Sequence, residues 1–370
     1  MTICYFGADS SWLTIQSRGF YRRNTCILNA LNESELINRI YVVNQLTRYQ
    51  FFIHLFKRLS NNSSKTKDVF FVSMFPQKKI FKRLNKCLAK NIIRLQINGN
   101  SQLILWAYWP RGYEVMQASG LKGIRVFDAD HNIVDDPNIP KEKRDFRKSY
   151  LTKIVSSVDV AISSTCSMNN WMKQINLAYI YRLRNGVDLD RFTQSFNTLP
   201  NSRPVIGYCG TLSRWIDYDI FEALVINNPN WLFKIIGSPY LCDEWLRLKK
   251  YDNLFFLGAL GPEDVVVEMA TFDVAINLYK RQPALDVDSM KLYEYLAAGI
   301  PVVSTLYHGR LLEDFDNVIV VADSIDSLQD KIKSAIDKGK SDYTAFLKKQ
   351  TWQQRVNEFI LSLNNKDWKN

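Results

Sequence analysis

The chain has 370 residues, 46% hydrophobic and 23% charged, which is the composition of a soluble globular protein too long for one core, so two domains are expected. No apolar run approaches the ~18–20 residues of a membrane span, and the opening MTICYFGADSSW lacks the basic and apolar regions of a secretion signal. Cys4, Cys26, Cys87, Cys166, Cys209 and Cys242 show no Cys-x-x-Cys spacing, which argues against a disulfide framework and a zinc site and for a reducing, cytoplasmic compartment.

The net charge of +11 is unevenly spread. Residues 1–100 carry 16 Lys/Arg against 4 Asp/Glu, residues 101–200 carry 13 against 10, and residues 201–370 carry 19 against 23. A basic first half attracts phosphate-rich partners, either nucleic acid or an anionic membrane surface.

Short apolar runs alternate with helical patterns along the whole chain, which predicts α/β architecture with parallel sheets. In the first half the expected strands are Thr2–Phe6, Ile40–Val43, Val69–Met74, Leu103–Tyr108, Gly123–Phe127, Val158–Ser163 and Tyr179–Leu183. Within this half, Lys78–Ile97 (KKIFKRLNKCLAKNIIRLQI) repeats apolar residues at helical spacing beneath a dense basic face. That pattern suits docking to anionic headgroups, and equally an ordinary surface helix. No recognition motif or aromatic-basic interleaving points to nucleic acid.

Thr193–Pro204, TQSFNTLPNSRP, is polar, holds two prolines and reads as a linker. It divides the chain into an expected first domain, 1–195, and a second, 204–345, followed by a terminal helix over 346–370. Strands of the second half are expected at Val205–Cys209, Trp231–Ile236, Asn253–Leu257, Val274–Leu278, Pro301–Ser304 and Val318–Val321. Two open α/β sheets so joined place a ligand in the cleft between their strand ends. In the terminal stretch, Phe346, Trp352, Val356, Phe359 and Ile360 recur at helical spacing, as in a helix that packs on an existing domain.

Asp286–Thr305, DVDSMKLYEYLAAGIPVVST, concentrates the chemistry. Ser289 suits a helix cap, Met290–Ala298 favour helix, Gly299 suits the left-handed residue after it, and Pro301 stops it ahead of a buried strand. Lys291 and Glu294 share one face near the helix start. A cation at a helix N-terminus attracts phosphate, and a carboxylate one turn on can accept hydrogen bonds from ribose. The same pattern without the ligand, a helix leading into a Val-rich strand, is common in α/β domains.

Five segments occur in order: RNGVDLDRF (Arg184–Phe192), IGYCGTLSRWIDYDIFEAL (Ile206–Leu224), IIGSP (Ile235–Pro239), FFLGAL (Phe255–Leu260) and SMKLYEYLAAGIPVVST (Ser289–Thr305). Together they resemble the nucleotide-sugar glycosyltransferases of the GT-B fold, particularly bacterial ones that build surface polysaccharides. The resemblance covers about half the chain, nearly all of it in the second half. It implies two Rossmann-like parallel-sheet domains facing a central cleft, with the C-terminal helix packing back toward the first. The implied activity is transfer of a sugar from a nucleoside diphosphate to a glycan or lipid-linked glycan. The alternatives are a nucleotide-sugar epimerase on the same fold and a non-catalytic glycan-binding protein.

The resemblance also assigns residues. Gly207, Gly210 and Thr211 would lie where a strand turns into the loop facing the donor phosphates. Arg214 would contact the diphosphate, a solvated loop arginine being the alternative. Gly258 and Ala259 would read the nucleobase edge, Ser289 and Met290 would belong to the donor site, Lys291 would meet the diphosphate and Glu294 the ribose. Many relatives carry Glu-x7-Glu, and eight residues before Glu294 stands Asp286, shorter by a methylene. Asp286 is then the donor-sugar candidate, with Asp288 its competitor.

An inverting enzyme of this type needs a base for the acceptor hydroxyl. The candidates follow the strand Gly123–Phe127: Asp130 first, then His131, with Asp128 beside them; a capping turn is the structural alternative. Asp128-Ala129-Asp130 is also a literal Asp-x-Asp, but the implied fold uses positive charge in place of a metal, and no metal or other cofactor is expected. Asp9, Trp12 and Arg18 are candidates for the acceptor side. The implied location is cytoplasmic, at the inner face of the plasma membrane, with 78–97 as the anionic-surface contact.

Overall fold

The computed structural model describes residues 1–8, 12–18, 21–46, 65–72, 90–97, 103–130, 134, 139–175, 179–192, 201–281, 286–306 and 310–364. The chain divides into two compact units, Met1–Arg184 with Arg355–Asn370, and Asn185–Gln354.

In the first unit β1 (Thr2–Phe6), β2 (Arg39–Leu46), β3 (Thr66–Val72), β4 (Leu103–Tyr108), β5 (Ile124–Asp128), β6 (Val160–Ser163) and β7 (Tyr179–Arg182) pair in parallel. Their spatial order is β3-β2-β1-β4-β5-β6-β7. The strands are near-continuous apolar runs because helices cover both faces, so no alternation with polar residues is needed. All five residues of β1 are buried. Ile93, Met116, Leu151 and Ile154, from three successive helical segments, share one core with Cys4 and Phe6. Gly7, at φ +91°, lies against the helix Trp109–Ser119, where a Cβ would come 2.5 Å from the Tyr108 carbonyl.

The second unit holds β8 (Val205–Cys209), β9 (Leu232–Ile236), β10 (Leu254–Gly258), β11 (Val274–Asn277), β12 (Val302–Thr305) and β13 (Val320–Ala322). These are again all parallel, in the order β10-β9-β8-β11-β12-β13, the Rossmann order in which the sheet reverses direction between β8 and β11. Ile206 and Tyr208 point into the core shared with the helices Tyr218–Asn227 and Ile325–Lys338. Val205 faces the opposite core, built with the helices Pro262–Met269 and Met290–Ala297.

All thirteen expected strands are present, with ends shifted by up to three residues. The division of the chain differs from the expected 1–195, because Asn185–Phe192 belongs to the second unit. Val187 pairs with Thr351, and a Cβ at Gly186 would come 2.8 Å from the Trp352 amide nitrogen. Most of the expected linker, 193–200, lies outside the described residues. The terminal helix Trp352–Asn364 does return to the first unit, where Phe359 meets Trp106 edge-on at 5.2 Å and Tyr181 at 5.0 Å. Among the described residues no helix is long and apolar enough to cross a membrane.

Candidate functional site

In an open parallel sheet, ligands bind beyond the strand C-termini where the strand order reverses. In the second unit that point lies at the ends of β8 and β11. The loop leaving β8 runs on in parallel beside the chain leaving β9: Gly210 donates to the Ile236 carbonyl at 2.8 Å and Leu212 to that of Ser238 at 2.9 Å. A Cβ at Gly237 would sit 2.0 Å from the Gly210 carbonyl, so only glycine lets the two loops approach. The same loop also runs beside the end of β11, where Asp217 donates to Leu278 at 2.7 Å and Lys280 to Trp215 at 2.8 Å.

Lys291, on the first turn of Met290–Ala297, reaches into this corner. Its Nζ donates to the Tyr208 hydroxyl at 3.0 Å and lies 4.2 Å from the centre of the Tyr208 ring and 4.3 Å from that of Tyr279. The Tyr208 hydroxyl in turn donates to the Thr211 carbonyl at 3.1 Å. A cation between two ring faces, with a hydroxyl lone pair at its tip, is held in place, and among the described residues no carboxylate forms a salt bridge with it. Lys291 is only 8% exposed, so its charge is directed rather than solvated on a long free stem.

Glu294, one turn on, is half-buried. Burial pushes its carboxyl above the ordinary carboxylate range, an effect opposed by the Arg191 and Lys291 charges. Asp288 has both oxygens engaged, by the Asn185 amide at 2.5 Å and the Tyr293 hydroxyl at 2.7 Å. It ties the NGVD segment to the helix start, with Asp286 buried just ahead. Ser289 stands at the N-cap, but its side chain makes no capping hydrogen bond, contrary to the sequence expectation. Gly299, at φ +73°, is the expected left-handed residue.

Other assigned positions divide. Gly258, at φ +72°, and Ala259 are exposed at the end of β10. Thr211 and Arg214 are exposed in the β8 loop, the Arg214 guanidinium 5.2 Å from the Trp215 ring centre. Gly207 is not a ligand-facing glycine: it is mid-strand, and a Cβ there would overlap the Phe272 ring at 1.8 Å. Asp217 caps the helix Tyr218–Asn227 by accepting from the Ile220 amide at 3.2 Å.

In the first unit the ends of β4, β5 and β6 and the helix Arg23–Glu33 gather a second polar cluster. Asp128, fully buried, accepts from the Asp130 amide at 2.9 Å and faces the buried Arg23 guanidinium at 3.5 Å. Desolvation raises its carboxyl to about 6, with Arg23 pulling the other way. Asp130 has a positive φ of 61°, uncommon for a residue with a side chain. It is held from every side, by Ser164 on its carbonyl, Tyr108 on Oδ2 at 3.0 Å and Arg23 on Oδ1 at 3.5 Å. Its side chain keeps 17% exposure, whereas that of Asp128 has none. Arg23 was missed in the sequence because nothing local marks an arginine 105 residues from its partner.

Trp12 is buried, its amide bonded to Asp68 at 2.8 Å, so it is a core residue and not an acceptor contact. Asp9, His131 and the Arg18 side chain lie outside the described residues, as does 78–89 of the basic stretch.

Residues 218–360 match the family model described as glycosyl transferase-like. A Bacillus subtilis (strain 168) protein, TuaH, named as a candidate teichuronic acid biosynthesis glycosyltransferase, is 26% identical over 176 residues. That match takes in 42% of this chain and 44% of the relative, less than half the length of each. Among solved structures, Anabaena Alr3699/HepE in complex with UDP and glucose superposes with TM-score 0.67 at 13% identity, over 98% of this chain and 99% of that one. The Burkholderia multivorans α,α-trehalose 6-phosphate synthase superposes with TM-score 0.65 at 10% identity, over 99% and 98%.

The fold is GT-B. At such low identity the superpositions speak for the architecture alone, while the family match covers most of the second unit, where the Lys291 corner lies. Both agree with the resemblance carried by the five ordered motifs.

Proposed function

We propose that the protein is a glycosyltransferase of surface polysaccharide synthesis, moving a sugar from a nucleoside diphosphate to a glycan or lipid-linked glycan. The observation that carries this reading is the Lys291 ammonium, fixed by Tyr208 and Tyr279 at the strand-order reversal, with the Glu294 carboxylate one helical turn away. Lys291 takes the diphosphate, Glu294 the ribose hydroxyls, the Gly258–Ala259 backbone the nucleobase edge, and Asp286 the donor sugar. Thr211, Ser289, Met290 and Arg214 border the phosphates. HepE, of the same fold, binds UDP and glucose, which supports a donor of this class.

In the transfer, the bond from the anomeric carbon to the diphosphate oxygen breaks and a bond to the acceptor oxygen forms. The acceptor proton passes to a base and the nucleoside diphosphate leaves with its electron pair. Lys291 and the helix N-terminus stabilise the leaving charge, so the step uses no cofactor beyond the donor. Asp130 is the base or acceptor-orienting group, His131 remains the alternative, and Asp128 holds Asp130 in place. The work takes place in the cytoplasm beside the membrane that carries the acceptor.

A thermal-shift panel of nucleoside diphosphates and their sugars tests the donor site, since a ligand at 100 times its Kd stabilises by about 2.7 kcal/mol. At least one diphosphate should raise Tm in the wild type and fail to do so in Lys291→Met; a flat panel would refute the assignment. Release of nucleoside diphosphate only when acceptor is added separates transfer from epimerisation.

A further inference from the structure

The helix Lys141–Val155 buries Leu151, Ile154 and Val155, yet none of its first ten residues. As the crossover between parallel β5 and β6, it begins at the C-terminal edge of the sheet, the edge that carries Asp128 and Asp130. At about 100° per residue, Arg144, Arg147 and Lys148 continue the stripe of Leu151, Ile154 and Val155 toward that edge, with Lys143 alongside. Glu142 and Asp145 fall on the opposite, outward face. The stripe that is apolar over the sheet thus turns cationic where it overhangs the strand ends.

Three of these charges serve no visible structural purpose. Among the described residues Lys143, Arg147 and Lys148 enter no salt bridge, and Lys143 stands in the first turn, where a cation works against the helix dipole. A cationic stripe on the same strand-end edge of the sheet as Asp130 has the chemistry to bind a negatively charged chain.

We propose that Lys143, Arg147 and Lys148 bind the acceptor, and that the acceptor is an anionic glycan bearing carboxylates or phosphates. A flat anionic bilayer fits the arrangement less well, because the outward face of the helix presents Glu142 and Asp145, while the cations turn toward the sheet edge along which a chain would run. The inference rests on the transferase reading only in calling the bound chain the acceptor; the binding itself does not depend on it.

The test measures binding of labelled oligogalacturonate and polyphosphate, with neutral dextran and vesicles of 30% phosphatidylglycerol in phosphatidylcholine as contrasts. The wild type should bind both anionic chains and not dextran. Lys143→Glu/Arg147→Glu/Lys148→Glu should weaken that binding about tenfold or more, with Tm within about 2 °C because these side chains bury nothing. A milder Lys143→Gln/Arg147→Gln/Lys148→Gln variant gives the same answer should the reversal disturb folding. Unchanged affinity in both variants, equal binding of dextran, or no binding of either anionic chain by the wild type overturns the proposal. Vesicle binding that weakens in Phe146→Ala, with the soluble chains ignored, overturns it in favour of bilayer docking, since Phe146 is 73% exposed on this helix. Nucleoside diphosphate binding, measured on the same proteins, fails separately if the donor reading is wrong.

Discussion

The Lys291 ammonium donates to the Tyr208 hydroxyl at 3.0 Å while resting 4.2 Å from the centre of the same ring, so one tyrosine fixes the cation by both its lone pair and its face. Tyr208 ends its hydrogen-bond chain at the Thr211 carbonyl, which couples the cation to the β8 loop that Lys291 is proposed to serve.

Replacing Lys291 by Met keeps the stem and removes the charge. Nucleoside diphosphate affinity should fall by about 10- to 100-fold, the worth of a charge-assisted contact, with the nucleoside alone affected far less. Calorimetric titration of the diphosphate and the nucleoside separates the two. Tyr208→Phe should give a smaller loss in the same diphosphate-dependent part, since the ring face remains.

Glu294→Gln should weaken the ribonucleotide by about tenfold but leave the 2′,3′-dideoxynucleotide nearly unchanged. The pH dependence follows from the raised carboxyl of Glu294. The ionised form accepts the ribose hydrogen bonds and is lost as pH falls through a value higher than that of a free glutamate, so affinity should drop in acid earlier than expected for an exposed carboxylate. The Gln variant should lose that part of the profile.

Asp128 predicts a pH effect on stability. Its folded value of about 6 lies above the ordinary 3.8, so the native state holds the proton longer than the unfolded chain. The associated stability is complete below about 3.8 and is lost as pH rises to about 6, a change on the order of 2–3 kcal/mol. Thermal melts of the wild type between these limits should show this slope, and Asp128→Asn should flatten it.

Gly237→Ala should destabilise the second unit by about 3 kcal/mol or more, because the new Cβ would meet the Gly210 carbonyl at 2.0 Å and both partners are backbone. Urea unfolding measures it. Gly339→Ala, at φ +70° and ψ −171° but with no atom near its Cβ, isolates the backbone strain and should lose about 1–3 kcal/mol.

The sequence by itself determined the strands, because parallel sheets covered on both faces require near-continuous apolar runs, and such runs are local. β8 and β12 could be read that way, as could the helix stop at Gly299 and the ordered motifs of the second unit. It also brought Lys291 and Glu294 together, since three residues of helix fix their spacing. Only the tertiary structure decided what surrounds them. Tyr208 lies 83 residues from Lys291, and Arg23 lies 105 residues from Asp128, and no periodicity links positions so far apart. The same holds for Gly207, whose missing side chain is space for the Phe272 ring, and for Asp288, which accepts from the Asn185 backbone amide 103 residues away. Spacing along the chain sets which side chains share a face; desolvation and the partner across the sheet set which of them keep a charge to offer.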